Sequence, residues 1–410
     1  MKALVLGAGI IGITTAYYLK KAGFDVTVID RQSAAGMETS FANGGQLAYS
    51  YVSPLASAGV LKNVPKWLLN PDSPMRMKLN FRPSEICWNL KFIAACNERQ
   101  HHQTTAELLT LSYLTRDLIQ TLRDTHGFEF AFSQKGKLII HRSPESFEHA
   151  KAEMKTMQAL GCEQYALDRE ACLEKEPALS ARSFSGGIYT PSEQAADCYL
   201  LCQALQTYLA QEGVSFVFNT NITGFITHMD KTVSVQTSQG SFSADHIICC
   251  LASDSTDLLS KISVNVPISP LKGYSLTLDI EEEAKAPQLS ITDYERKVVY
   301  TRLGHKLRVA GIGDRVGMDR RIDPERIRTM IKEAKDLFPI GNYDQAQQWA
   351  GLRPSTPTGK PIIDRTAYKN LWLNTGHGML GFTLSMGSAK LITELILKEK
   401  TSIDTNAFRL

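Results

Sequence analysis

No Cys-x-x-Cys pair occurs in this chain, although it carries eight cysteines, and no His/Cys cluster has the spacing of a metal site. Cys198 and Cys202 lie one helical turn apart, but with no His or second Cys pair nearby they read as packing residues. Eight free thiols, mostly buried, are the expectation for a reducing compartment. Charge of one sign is also scarce. The formal net charge is +3 over 410 residues, and no basic block tracks a phosphate backbone, which argues against a nucleic-acid partner. No run of eighteen apolar residues is present, and the N-terminus lacks the charged and apolar regions of a secretory signal. The expectation is therefore an intracellular, cytoplasmic chain. Internal repeats and low-complexity stretches are missing too.

What is present starts at the second residue. An apolar strand runs into Gly7, Gly9, Ile10, Ile11 and Gly12, and eighteen residues after Gly12 comes Asp30, followed by Arg31. Gly7 permits a tight turn, Gly9 a close approach to a pyrophosphate, and Gly12 close packing of helix on strand. The helix N-terminus offers unpaired N–H groups to phosphates, and Asp30 stands where a carboxylate would hold ribose hydroxyls. This predicts a dinucleotide, with NAD and FAD both open at this point. The other end of the chain decides between them. Gly376, His377, Gly378, Met379, Leu380, Gly381 and Thr383 form a glycine-rich turn that opens a second helix. Helix-terminal N–H groups stabilise the negative charge of a reduced flavin near N1 and the C2 carbonyl, a need that NAD does not have.

Patterning predicts helices over 84–99, 104–124, 144–160, 197–212 and 323–337, with a last helix ending near Lys398. Strands are expected at 136–140, 214–218, 223–228, 232–237, 244–251, 273–279, 297–302, 306–311 and 371–375. At 43% apolar composition the chain can bury a large core. The N-terminal unit lacks the consecutive strand–helix repeats of a complete doubly wound sheet, so the missing strands must come from later. The fold class expected is α/β: a discontinuous Rossmann-type domain (1–50, 197–268 and 345–410). A second α+β domain on an antiparallel sheet (51–196 and 269–344) completes it. Residues 49–83 carry five prolines and little periodicity, as a lid or docking loop would. Trp67, Leu68 and Leu69 beside Lys62, Lys66, Arg76 and Lys78 also suit a membrane surface.

Five segments in order resemble the FAD-dependent D-amino-acid oxidase superfamily, and they span residues 2 to about 395. They are Leu4–Asp30; Glu38, Thr39 and Ser40 with Asn43, Gly44, Gly45 and Gln46; Pro270–Leu276; Ala350–Pro354 with Gly359; and the stretch from Asn370 through Gly378 onward. The Pro270–Leu276 segment favours the dehydrogenase branch. The resemblance implies FAD-dependent oxidative deamination of D-amino acids such as D-alanine. Hydride passes to flavin N5, and electrons go on to a quinone or other respiratory-chain acceptor. It implies that Arg353 clamps the substrate carboxylate with its planar fork. It also brings Tyr274, and more weakly Tyr300, near the substrate, and assigns His377 to the turn and the cofactor rather than to base catalysis. One departure stands out: where relatives place a glycine after the strand at 244–251, this chain has Ala252 and Ser253. No cysteine near Gly351–Gly359 could tether a flavin, so FAD is expected to be non-covalent. The rivals are a peroxide-producing oxidase, a dehydrogenase of proline-like or N-methyl amines, a docking subunit that merely carries flavin, and an NAD enzyme.

Overall fold

The computed structural model describes residues 1–64, 73–78, 80, 82–180 and 184–410. The first of its two large sheets has six strands, in the order Ile362–Arg365, Leu371–Thr375, His246–Cys249, Lys2–Leu6, Asp25–Ile29, Ser215–Val217. All neighbours are parallel except the hairpin Ile362–Arg365/Leu371–Thr375. Strands buried on both faces read as continuous apolar runs, which is why Lys2–Leu6 carries Ala3, Leu4, Val5 and Leu6 in succession. One face is covered by helix Ile10–Lys21, packed against Cys198–Gln211 and the last helix, Gly381–Leu397. Asp197 caps the helix it precedes by accepting from the Tyr199 and Leu200 N–H groups. A three-stranded antiparallel sheet (Ile222–Thr227, Val233–Thr237, Gly240–Phe242) shields the other face.

The second sheet is mainly antiparallel. Its order is Gln347–Ser355, Ser269–Asp279, Lys306–Arg315, Val298–Leu303, Ser290–Asp293, Lys137–His141, Gly186–Thr190, Tyr165–Asp168. Helix Pro324–Leu337 lays Ile327, Met330, Ala334 and Leu337 on one face, against Tyr274, Leu276, Tyr300 and Val309. The opposite face looks toward the first sheet across a large cavity.

The expected α/β class with two unlike sheets is the observed one. Three local readings are corrected. The expected helix 84–99 stops at Ala95, because Asn97 takes an extended conformation and its side chain caps the next helix, Glu98–His126, by accepting from Gln100 N–H. Strand Gln347–Ser355, placed by sequence with the cofactor domain, is the edge of the second sheet, paired along Ser269–Asp279. Its alternation is interrupted by Gly351 and Pro354, which hid it. Strands Tyr165–Asp168 and Gly186–Thr190 were not anticipated; short flanking turns left no clear period. All eight cysteines are free thiols, six of them buried, and no metal-binding cluster occurs among the described residues. The last helix, with the turn before it, is long and apolar enough to cross a membrane. It is instead a core element, wedged against helices Ile10–Lys21 and Glu98–His126.

Candidate active site

A cavity of ≈ 1330 Å³ lies between the two sheets, walled by Gly7, Gly9, Ile10, Ile11, Asp30, Ser40, Asn43–Gln46, Ala252, Gly351, Arg353 and the turn at Gly376–Gly381. At its first end the glycines answer to different demands. Gly7 has φ +97, and a Cβ there would stand 2.9 Å from the Cys250 carbonyl oxygen. A Cβ on Gly12 would fall 1.8 Å from the Gly7 carbonyl oxygen, so the helix can lie this close to the strand only with glycine. At Gly9 the nearest neighbour is Ser40 Oγ at 3.6 Å; the chain itself leaves room there, and the room faces the cavity. Ser40 Oγ accepts the Ile10 N–H at 3.0 Å, so the serine caps the helix that the motif opens. Asp30 accepts from Ala8 N–H at 2.6 Å and Gln32 N–H at 2.8 Å, which aims the carboxylate; burial pushes its pKa up against those bonds. Arg31 forms a fork on Glu38 (2.5 and 2.7 Å) and reaches Asp254 at 3.0 Å, while Arg320 joins Asp254 at 2.9 Å. These ion pairs tie the rim of the first sheet to the second.

Between the two ends, Asn43–Gln46 lies flat on the second sheet. Thr301 donates to the Gly44 carbonyl at 2.7 Å and Arg308 to the Asn43 carbonyl at 2.8 Å. Gly45 has φ +65, and a Cβ on Gly44 would press on Val299 at 3.0 Å. Gln46 donates to Ser290 Oγ at 2.6 Å. Gly351 passes Thr39, where a Cβ would sit 3.3 Å from the Thr39 Cα. Ala252 adopts φ +50, the left-handed conformation that glycine occupies without penalty. The backbone bend is therefore kept although the residue departs from the family pattern.

At the far end Gly376 and Gly378 have φ +79 and +53. His377 is buried, hydrogen-bonded to Ser388 Oγ at 3.0 Å, and burial drives its pKa down to about 3. The imidazole is neutral throughout the working range and shapes the turn. Thr383 Oγ1 accepts from Ala48 N–H at 3.3 Å, joining the start of the last helix to the loop after Gln46. Met379 and Leu380 line the cavity beside Gly381.

Arg353 sits on the cavity face of the second sheet. Its guanidinium lies over Gly273, donating to the Ile312 carbonyl at 3.1 Å and the Gly311 carbonyl at 3.4 Å. A Cβ on Gly273 would be 2.3 Å from Arg353 Nη2, so glycine there is the condition for this pose. Ile312 holds φ +54, strained for a β-branched residue, at the irregularity where the 306–315 strand slips register against 269–279. No carboxylate lies within ion-pair distance of Arg353 among the described residues. Burial lowers its pKa to about 10, which still leaves it charged at neutral pH.

Of the two tyrosines expected near it, Tyr274 has atoms on the cavity wall and Tyr300 has none there. Successive residues of a strand face opposite ways, and Gly273 and Ser275 take the cavity side. Tyr274 therefore points to the far face, where its hydroxyl donates to Asp314 Oδ2 at 2.8 Å inside a network with Arg76 and Arg326. Tyr300 is wholly buried against Phe338 and donates to the Glu333 carbonyl at 3.2 Å. The side chains that do face the cavity were missed: Ser275, Trp349 and Asn374, whose Oγ, Nε1 and Oδ1 are buried without a hydrogen-bond partner among the described residues. Stepping by two from Gly273 and Gly351 would have found Ser275 and Trp349. Tyr51 and Tyr294 also line the cavity, the former with Lys137 Nζ 4.1 Å above its ring.

Arg76, expected as a headgroup contact, is committed to Asp314 and Asp323. Lys62 and Lys78 are exposed, and Ser53–Val60 line the cavity. Lys66, Trp67, Leu68 and Leu69 lie outside the described residues.

Open space at Gly9, an aimed Asp30, positive-φ turns at both ends and orphaned polar atoms between them together fit an extended dinucleotide such as FAD. Comparison with known proteins agrees. The family model of FAD dependent oxidoreductases (DAO) matches residues 2–395. A protein of Ralstonia nicotianae named D-amino acid dehydrogenase 2 is 42% identical over 416 residues, covering 98% of each chain. Its namesake from Pseudomonas aeruginosa is 40% identical over 98% of this chain and 97% of its own. Among solved structures, glycine oxidase from Geobacillus kaustophilus superposes with a TM-score of 0.79 at 18% identity, covering 100% of this chain and 98% of that one. L-proline dehydrogenase from P. horikoshii gives 0.76 at 17%, over 100% and 96%. These two show the shared fold.

Proposed function

The chain belongs to the family of FAD-dependent oxidoreductases, and on that premise we propose that it works as a D-amino acid dehydrogenase, the name its relatives at 42 and 40% identity carry. The observation that carries the reading is Arg353, a half-buried cation with no ion-pair partner among the described residues, held flat by Gly273 on the cavity wall. Bound FAD supplies the two-electron acceptor for oxidation of the substrate's α-carbon–nitrogen bond. The ADP half would be held by Gly7, Gly9 and Asp30, with Gly12 letting the helix close on the strand behind them, and the flavin half by Asn43–Gln46, Ala252, Gly351 and the turn from Gly376 to Thr383. The cofactor is non-covalent in this reading, in keeping with the absence of any cysteine after Cys250.

The protein's own part is binding and orientation. Arg353 spends two of its N–H donors on the Gly311 and Ile312 carbonyls and keeps the rest for the α-carboxylate. That bidentate grip fixes the α-carbon, and positioning supplies much of the rate. Walls from Trp349, Ser275 and the Tyr51 loop keep bulk water away. No side chain is assigned as base: the substrate amine enters neutral, and the imino acid hydrolyses in water to a 2-oxo acid and ammonia. Electrons leave for a quinone of the respiratory chain, a choice supported by the relatives' being named dehydrogenases.

The test is anaerobic bleaching of the purified yellow protein with a panel of D- and L-amino acids, followed by reoxidation with oxygen or a soluble quinone. Bleaching by D-alanine and rapid quinone reoxidation are expected. Bleaching by L-amino acids alone, or stoichiometric peroxide in air, would overturn the assignment.

A further inference from the structure

Arg353 keeps its pose because two consecutive carbonyls, those of Gly311 and Ile312, accept from one guanidinium. A regular strand cannot offer that, since its successive carbonyls turn to opposite neighbours. The irregularity beside Gly273 supplies it. Lys272 pairs with Asp314 and Tyr274 with Gly311, so the single residue Gly273 stands opposite two, Ile312 and Gly313. This is a β-bulge, and Ile312, at φ +54, takes the left-handed place that glycine usually fills in such bulges. A β-branched residue keeps that conformation only where its surroundings impose it.

The constraint lies on the face away from the cavity. Tyr274 sends its hydroxyl past the bulge to Asp314 Oδ2 at 2.8 Å. Burial and the Asp314 carboxylate push the phenol's pKa up, so it remains a donor. Asp314 is fully buried and is gripped as well by Arg76, at 2.8 and 3.2 Å, and by Arg326 at 2.9 Å. Arg76 belongs to strand Met75–Met77, which pairs in parallel with Gly313–Arg315, and Arg326 to helix Pro324–Leu337. The bulge is thus bracketed from both faces. Arg353 crosses it over Gly273 on the cavity side, and the Tyr274–Asp314 bond crosses it on the other. Asp314 also supports the charge of the guanidinium from beneath the sheet.

We propose that Tyr274 and Asp314 are positioning residues for substrate binding. Their bond locks the bulge that turns the Gly311 and Ile312 carbonyls onto Arg353, and so aims the remaining guanidinium N–H groups at the α-carboxylate. The inference rests on the reading of Arg353 as the carboxylate clamp. Tyr274, which the sequence singled out as a substrate contact, acts instead through the backbone on which Arg353 leans.

The experiment is a double-mutant cycle on purified holoenzyme. It reads the second-order rate constant of anaerobic flavin bleaching by D-alanine and, with a soluble quinone as acceptor, KM and kcat. Tyr274→Phe removes one hydroxyl and leaves Asp314 to its two arginines, so FAD content should be that of wild type. In the wild-type background KM should rise about fivefold with kcat within about twofold, inside the range of coupling between neighbouring residues. In Arg353→Met the same change should shift the bleaching constant by less than about twofold, because the group it positions is gone. Asp314→Asn, which keeps one acceptor oxygen but not the charge, should repeat the pattern with a larger factor. Equal factors for Tyr274→Phe in the two backgrounds overturn the proposal, since the phenol would then act on the substrate directly or on the fold at large. So does an unchanged KM in Tyr274→Phe alone. An Arg353→Met enzyme that bleaches as fast as wild type would take down the clamp reading and this proposal together, whereas equal factors take down this proposal only.

Discussion

The two sheets meet the cavity in different ways. The parallel sheet offers its strand ends: the chain leaves Leu6, Ile29, Cys249 and Thr375 and enters turns at Gly7, Asp30, Ala252 and Gly376 that line the site. The antiparallel sheet offers a face, so its contributions are single residues spaced two apart on neighbouring strands: Gly273 and Ser275, Gly351 and Arg353. Backbone turns at strand ends suit phosphate and ring recognition, because N–H groups and close approach do the work. A flat face with small residues around one long cation suits a carboxylate. In the proposed reading cofactor holding and substrate holding are separable, and substitutions should separate them.

The largest effect is expected at Arg353. Arg353→Met removes two charge-assisted hydrogen bonds to the substrate, each about 1.5–3 kcal/mol, so kcat/KM should fall roughly a thousandfold. FAD content should stay that of wild type. Loss of flavin in this variant would show that the two functions are not separate. Gly273→Ala is the next step down. Its Cβ would collide with Arg353 Nη2 without removing the charge, and an increase in KM of roughly tenfold, about 1.4 kcal/mol, is expected. An unchanged KM would mean that the guanidinium binds substrate from another pose.

Each sheet's neighbourhood also holds one buried neutral histidine, His377 and His141, with pKa values lowered by burial to about 3 and about 4. Unfolded, both titrate near 6.5. Below that pH the unfolded chain binds protons that the folded chain refuses, so stability falls as pH drops from 6.5 toward those folded values. At pH 5 each histidine costs about 2 kcal/mol relative to neutral pH. Urea midpoints between pH 5 and 7 measure this, and His141→Asn should flatten the dependence by about half; no change would place the sensitivity elsewhere. The smallest effect is assigned to Tyr300→Phe. Losing one hydrogen bond to the Glu333 carbonyl should cost about 1 kcal/mol of stability and leave kcat/KM alone. A hundredfold loss of activity would restore the phenol to the chemistry.

The difference between the sheets also explains which parts were legible. The strand-end site is written in contiguous residues, so Gly7, Gly9, Gly12, Asp30 and Gly376–Gly381 announced themselves, and the strands behind them were apolar enough to be seen. Arg353 could be named from its Gly351–Pro354 setting. Tyr274 and Tyr300 could not be judged, since a face depends on register, and register depends on which strand lies alongside. The bulge at Ile312 and the edge position of Gln347–Ser355 settle that register, and neither has a local signature.

Local sterics, then, were enough to determine the glycine turns at the strand ends: where only glycine avoids a clash with its own backbone, the chain has little choice. The sequence by itself also determined the two-sheet α/β plan, through the period of its apolar residues. Tertiary structure alone decided which side chains share the cavity, that Arg353 lies over Gly273 with no ion-pair partner among the described residues, and that a helix lining this cavity shows hydrocarbon to the outside. Those facts depend on contacts between segments far apart in the chain, such as Trp88 with Ser355 and Arg353 with Ile312, which no residue pattern fixes until the strands have paired.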